Sequence, residues 1–76
     1  MTLNQFKTLS QQQQAKVVGQ GHFFLFREEM KYTIVLYKVG NFYVEVYHNN
    51  ALNTIVSFNP FTSKKRLELY FRPRMN

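Results

Sequence analysis

The sequence predicts an α+β fold: an N-terminal helix or helix pair packed on a four-stranded antiparallel β-meander, then a short C-terminal helix, in one small domain over residues 1–76. Three observations lead there. The runs His22 to Arg27, Tyr32 to Val39 and Phe42 to His48 are rich in the β-branched and aromatic residues that fit a pleated surface. Val39-Gly40-Asn41-Phe42 sets Gly-Asn between two of those runs, and both turn residues tolerate the positive φ of a tight hairpin. Residues 2 to 18 carry helix-start signatures ahead of turn-spaced apolar side chains.

At the N-terminus, Thr2 with Gln5 and Ser10 with Gln13 both form the capping-box pattern, in which a hydroxyl and a side-chain amide satisfy backbone N–H groups at a helix start. The spacing predicts one short helix over 2–9 and a second, or a continuation, over 11–18, with Gly19 as its C-terminal stop. Phe6 and Leu9 are the anchors expected to hold these helices to the sheet. The four glutamines Gln11 to Gln14 read as an exposed face. Gln20 and Gly21 make the crossing into the first strand, whose four consecutive apolar residues suggest burial on both sides.

With Gly40 and Asn41 as the two loop residues, Val39 lies opposite Phe42, Tyr37 opposite Val44 and Val35 opposite Val46, all on one face. Lys38 with Tyr43, Leu36 with Glu45 and Ile34 with Tyr47 take the other. The polar stretch Glu28-Glu29-Met30-Lys31, read as an even-length loop, puts Phe24 and Phe26 on the Val35 face and Phe23 and Leu25 with Ile34 and Leu36. A slip of one residue exchanges the faces of a whole strand. After the turn-rich Asn49 to Asn53, residues Thr54 to Phe58 alternate as a fourth strand; an odd loop puts Thr54, Val56 and Phe58 on the Val44 face and is preferred to the even loop that puts Ile55 there. Pro60 is expected to end that strand. Thr62 or Ser63 then caps a last helix with Leu67, Tyr70 and Phe71 at helical spacing and Pro73 as its stop. A fifth strand competes, because Leu67, Leu69 and Phe71 also alternate, but Lys64-Lys65-Arg66-Leu67 suits a helix better.

At 76 residues the chain forms one domain, and folding buries only about 60% of the unfolded surface, so a second layer on the sheet is needed. A hydrophobic fraction of 45% excludes a disordered chain. The absence of cysteine removes disulfides, thiolate nucleophiles and thiolate metal sites together, and the expected compartment is the cytoplasm. No apolar stretch reaches the roughly 20 residues of a membrane span, and the start lacks a basic segment followed by an apolar block. The net charge of +6 is uneven, with Lys64, Lys65, Arg66, Arg72 and Arg74 crowded into the last segment.

The chemistry-bearing residues do not assemble into a catalytic pattern. His22 and His48 are the only candidates for an acid and base pair, yet one begins the first strand and the other ends the third, at opposite corners of the sheet. Glu28 and Glu29 are neighbours whose side chains point apart, and Glu45 reads as a cross-strand partner for a surface lysine. No serine or threonine has a partner at recognisable spacing, and the three glycines form no phosphate-cradling loop. The expectation is therefore a non-enzymatic chain with no cofactor, no metal and no small-molecule substrate.

An interaction module fits better. Both faces of the meander are too apolar for water, and the expected docking surface is Phe23, Leu25, Ile34, Leu36, Tyr43 and Tyr47, with a homodimer or another protein as the occupant. The alternative is a nucleic-acid-binding protein, in which Tyr32, Tyr43 and Tyr47 stack bases while Arg27, Lys38, Lys64, Lys65, Arg66, Arg72 and Arg74 hold phosphates.

Overall fold

The computed structural model describes residues 1–71. Two helices, α1 (Leu3–Lys7) and α2 (Gln11–Gly19), precede four strands, β1 (His22–Glu29), β2 (Tyr32–Val39), β3 (Phe42–Asn49) and β4 (Thr54–Phe61), and α3 (Lys64–Phe71) follows them. The strands form one antiparallel sheet in the order β1-β2-β3-β4, with β1 and β4 at its edges. This is the α+β arrangement the sequence predicts.

Both capping boxes are complete. Thr2 N–H donates to Gln5 Oε1 at 2.8 Å while Gln5 N–H donates to Thr2 Oγ1 at 3.1 Å, and Ser10 with Gln13 repeats the exchange at 3.0 and 3.2 Å. The first helix is shorter than 2–9 because the Thr8 hydroxyl donates to the Gln5 carbonyl at 2.7 Å and ends it. Gly19 is the last helical residue rather than the stop; Gln20 caps the helix with φ −96°. It is Gly21 that the fold requires, because a Cβ there would meet the Lys38 carbonyl at 2.8 Å where the crossing passes over β2.

Gly40 has φ +58°, and Val39 pairs with Phe42, Tyr37 with Val44 and Val35 with Val46, so the β2–β3 register is the predicted one. In β1, Phe26 pairs with Val35 and Leu25 with Leu36 as expected, but a bulge between Phe23 and Leu25 puts Phe23 opposite Tyr37. Phe23 and Phe24 thereby exchange faces relative to the sequence reading: Phe23 sits edge-on to Tyr37 at 6.2 Å, and Phe24 stacks on Tyr43 at 6.0 Å on the other side. The extra residue of a bulge resets the two-residue alternation beyond it. The turn itself is only Met30 and Lys31, with Glu29 paired to Tyr32, so the strand runs further than Arg27.

A second irregularity, between Tyr47 and His48, leaves Val56 of β4 without a partner. Phe58 lies opposite Val46 as preferred, Ile55 lies opposite His48 on the same face, and Thr54 goes to the other side, opposite Asn49. Pro60 does not end the strand. It pairs with Val44 inside β4, which is possible because a proline in an edge strand can turn its missing N–H outward. Pro73 lies outside the described residues, as do Arg72 and Arg74.

The helix pair closes the Val44 face. Phe6, Val18, Val39, Phe42, Val44 and Val46 are buried there, with Leu3, Leu9, Val17, Val35, Tyr37 and Phe58 packed around them. Phe6 has no exposed surface, and its ring meets Phe42 at 5.7 Å and Phe58 at 6.4 Å. Full burial of such a ring contributes about 1.5–3 kcal/mol. Gln11, Gln12 and Gln13 are exposed as expected, whereas Gln14 is half-buried; Gln14 Nε2 donates to the Phe6 carbonyl at 3.0 Å and the exposed Gln11 Nε2 to the Ile55 carbonyl at 3.4 Å, which ties α2 to α1 and to β4.

Candidate functional site

The second face is where the titratable residues gather. Strand alternation sends Arg27, Ile34, Leu36, Glu45, Tyr47 and Asn59 to it, and α3 lies across them. On that helix Arg66 and Tyr70 stand four residues apart, one above the other, and both reach the same carboxylate. Glu45 Oε1 accepts from Arg66 Nε and Asn59 Nδ2, each at 2.8 Å; its Oε2 accepts from Tyr70 Oη at 2.7 Å and Arg27 Nη2 at 3.4 Å. Arg66 Nη2 also donates to Tyr47 Oη at 3.2 Å, and Arg27 Nη1 to Glu29 Oε2 at 2.8 Å.

Glu45 has no exposed surface at all. Burial alone favours its neutral form, but hydrogen bonds from Asn59, Tyr70 and Arg66, together with the Arg66 charge, outweigh that penalty and hold the carboxyl below the usual glutamate range. Burial, then the hydrogen bond to Glu45 and its charge, push the Tyr70 phenol well above its ordinary value. The carboxylate stays ionised with both oxygens occupied, and the phenol stays protonated. With both of its oxygens occupied by Arg27, Asn59, Arg66 and Tyr70, the carboxylate clamps α3 to the sheet. The surface lysine partner expected for Glu45 is replaced by two arginines, a tyrosine and an asparagine.

The aromatic residues of this face are also engaged. Tyr43 stacks between Phe24 at 6.0 Å and Phe61 at 5.5 Å, with Lys38 Nζ 5.6 Å from its ring. Tyr47 meets Tyr32 edge-on at 6.0 Å. Of the phosphate-binding candidates, Arg27 and Arg66 are spent on Glu45, while Lys38, Lys64 and Lys65 are exposed. His22 pairs with Lys38 at one end of the sheet and His48 with Thr33 at the other. Among the described residues no group of three or more histidines and carboxylates stands together to hold a metal.

The six residues expected to form a docking surface do not share one. Ile34 and Leu36 are fully buried, Leu25, Tyr43 and Tyr47 are half-buried, and the β1 bulge carries Phe23 to the opposite face. The tail of the chain covers what was expected to be left open. Among the described residues the exposed phenylalanines gather instead along β1, while Ile55 and Val56 are exposed at the other edge, on β4. Helices α1 and α2 pack chiefly on β2 and β4 and leave Phe23 and Phe26 about 60% exposed. On the α3 side Phe24 is 43% and Phe71 59% exposed, with the two rings edge to face at 6.4 Å.

An edge strand carries a row of backbone N–H and C=O groups with no partner on its outer side. Here that row is bordered by phenylalanines on both faces. The sequence signal for this arrangement is present but ambiguous: Phe23-Phe24-Leu25-Phe26 reads equally well as a strand buried on both sides, and only the sheet order shows that it is an edge. Comparison with protein-family models, with curated proteins and with solved structures finds no match for this chain.

Proposed function

We propose that the protein is a small non-enzymatic interaction module whose docking element is β1. The observation that carries this reading is the coincidence of an open strand edge with exposed Phe23 and Phe26 on one side and Phe24 and Phe71 on the other. Such an edge accepts another strand through main-chain hydrogen bonds, and flanking apolar side chains add affinity. The sole buried acid with unusual ionisation is consumed in holding α3, which fits a binding role rather than a catalytic one. The cysteine-free composition suits the cytoplasm. Among the described residues no helix is long and apolar enough to cross a membrane.

The test is occupant-independent. A photo-crosslinking amino acid at position 26, in cells making the full chain, is expected to yield a discrete adduct, whereas the same group at Gln12 on the exposed side of α2 yields none. Equal labelling from both positions, or none from position 26, overturns the reading. Lys64 and Lys65, exposed at the start of a helix with no acid in its first turn, favour the second reading, nucleic-acid binding. It requires affinity for a labelled oligonucleotide that falls as salt rises; absence of binding at low salt removes it.

A further inference from the structure

We infer that the occupant of β1 is a second copy of this chain, paired antiparallel about a two-fold axis that passes beside Phe26, so that two four-stranded sheets become one. This rests on the reading of β1 as the docking strand and names its partner.

Self-complementarity of the strand is the first argument. The chain has four acids against ten basic residues, and one of the four, Glu45, is buried. Two of the remaining three, Glu28 and Glu29, stand together at the C-terminal end of β1. At its other end lie His22 and its cross-strand neighbour Lys38. Antiparallel pairing of two identical strands keeps the Glu28 and Glu29 carboxylates of one copy at the far end from those of the other, whereas a parallel arrangement sets them side by side.

The register follows from the faces and the bulge. Residues directly opposite in an antiparallel ladder point to the same side of the sheet, so the axis must pass beside a residue of the strand rather than between two. Centred on Arg27, the pairing sets the exposed Phe26 ring against Glu28 and runs Phe23 and His22 past the end of the partner strand. Centred on Leu25, it runs Glu28 and Glu29 past the end of the partner strand and sets His22 against Arg27. Centred on Phe26, with the bulged Phe24 counted out, it sets Phe26 against Phe26, Leu25 against Arg27, Phe23 against Glu28 and His22 against Glu29. Each of these pairs shares a face, and the exposed Phe23 and Phe26 rings of both copies then form one cluster.

The area is sufficient for a modest dimer. At roughly 150–250 Å² per aromatic side chain, the exposed fractions of Phe23, Phe24, Phe26 and Phe71 leave on the order of 300–550 Å² of apolar surface per copy. A standard interface takes about 800 Å² per partner, and the strand backbones and the acid–base ends supply the remainder.

Light scattering of the purified chain across a dilution series is expected to show a particle of twice 9.1 kDa that falls to the single mass on dilution. Because the chain has no cysteine, one introduced thiol reports the register: under mild oxidation Phe26→Cys should form a covalent dimer about tenfold faster than Leu25→Cys or Arg27→Cys, since opposed Cα atoms at about 4.5–5.5 Å suit a disulfide. Glu29→Lys should weaken the dimer about tenfold, and adding His22→Glu should restore it. A 9.1 kDa particle at every concentration overturns the inference, and so does preferential trapping at position 25 or 27. An adduct captured in cells from position 26 by a chain that is monomeric when pure leaves β1 a docking strand for a different partner, so the two failures are distinguishable.

Discussion

The two faces of the sheet are closed by opposite chemistry. The helix pair seals one with Phe6 and five other buried residues, all of them apolar. The other is sealed by α3 around an ionised carboxylate with four donors. Apolar closure is indifferent to how its pieces are oriented within a fraction of an ångström, whereas the Glu45 cluster works only with α3 in one position. The first face therefore supplies most of the driving force for folding, and the second specifies where the C-terminal helix lies.

Removing the centre of each face produces the largest expected effects and separates them by kind. Phe6→Ala should cost about 3–5 kcal/mol, measured by denaturant unfolding, by the same amount at any pH where the chain is folded. Glu45→Ala should cost about 3–5 kcal/mol at neutral pH, because it strands two arginines and a tyrosine, and the loss should shrink in acid. An equal and pH-independent loss for both variants would dissolve the contrast between the faces.

The pH dependence itself is the next effect in size. Glu45 has a folded-state pKa below its unfolded value, so its contribution is complete above the unfolded value of roughly 4.3 and is lost as pH falls through the lower folded value. Tyr70 has the opposite sign: its raised pKa gives stability that is full below the unfolded value of about 10 and lost as pH climbs towards the folded one. Thermal unfolding of the native chain should weaken at both extremes, and Glu45→Ala should flatten the acid limb. An unchanged acid limb in that variant would remove Glu45 as its origin.

The smallest effect belongs to the helix pair. Ser10→Ala deletes one half of a capping box and should cost about 1 kcal/mol, read as a lower unfolding midpoint with no change at α3 by hydrogen exchange. Loosening of α3 in that variant would mean that the two layers are not independent.

Local chemistry explains which parts of this were legible beforehand. The Gly40 turn, both capping boxes and the β2–β3 register depend on residues within a few positions of one another, and the sequence reading of them stands. The sequence reading sets Phe23 and Phe24 on the wrong faces because nothing in His22 to Arg27 marks a bulge; four apolar residues in a row carry no alternation to betray the skipped step. The open edge at β1 depends on the order of strands, which is a property of the whole sheet. The sequence sets Glu45 at the surface because its partners lie 14 to 25 positions away, Arg27 before it and Asn59, Arg66 and Tyr70 after it. The one available hint was the Arg66 and Tyr70 pair on a single helical face opposite a lone strand acid.

Pro60 bears on how far association can go. It occupies the strand at the far side of the sheet from β1, where its missing amide proton removes a donor from the template that an incoming strand would need. Each copy thus offers one usable margin. If β1 pairs with its copy as inferred, growth by edge addition ends once that margin is filled, and an aromatic-rich ribbon is kept from running on into fibres.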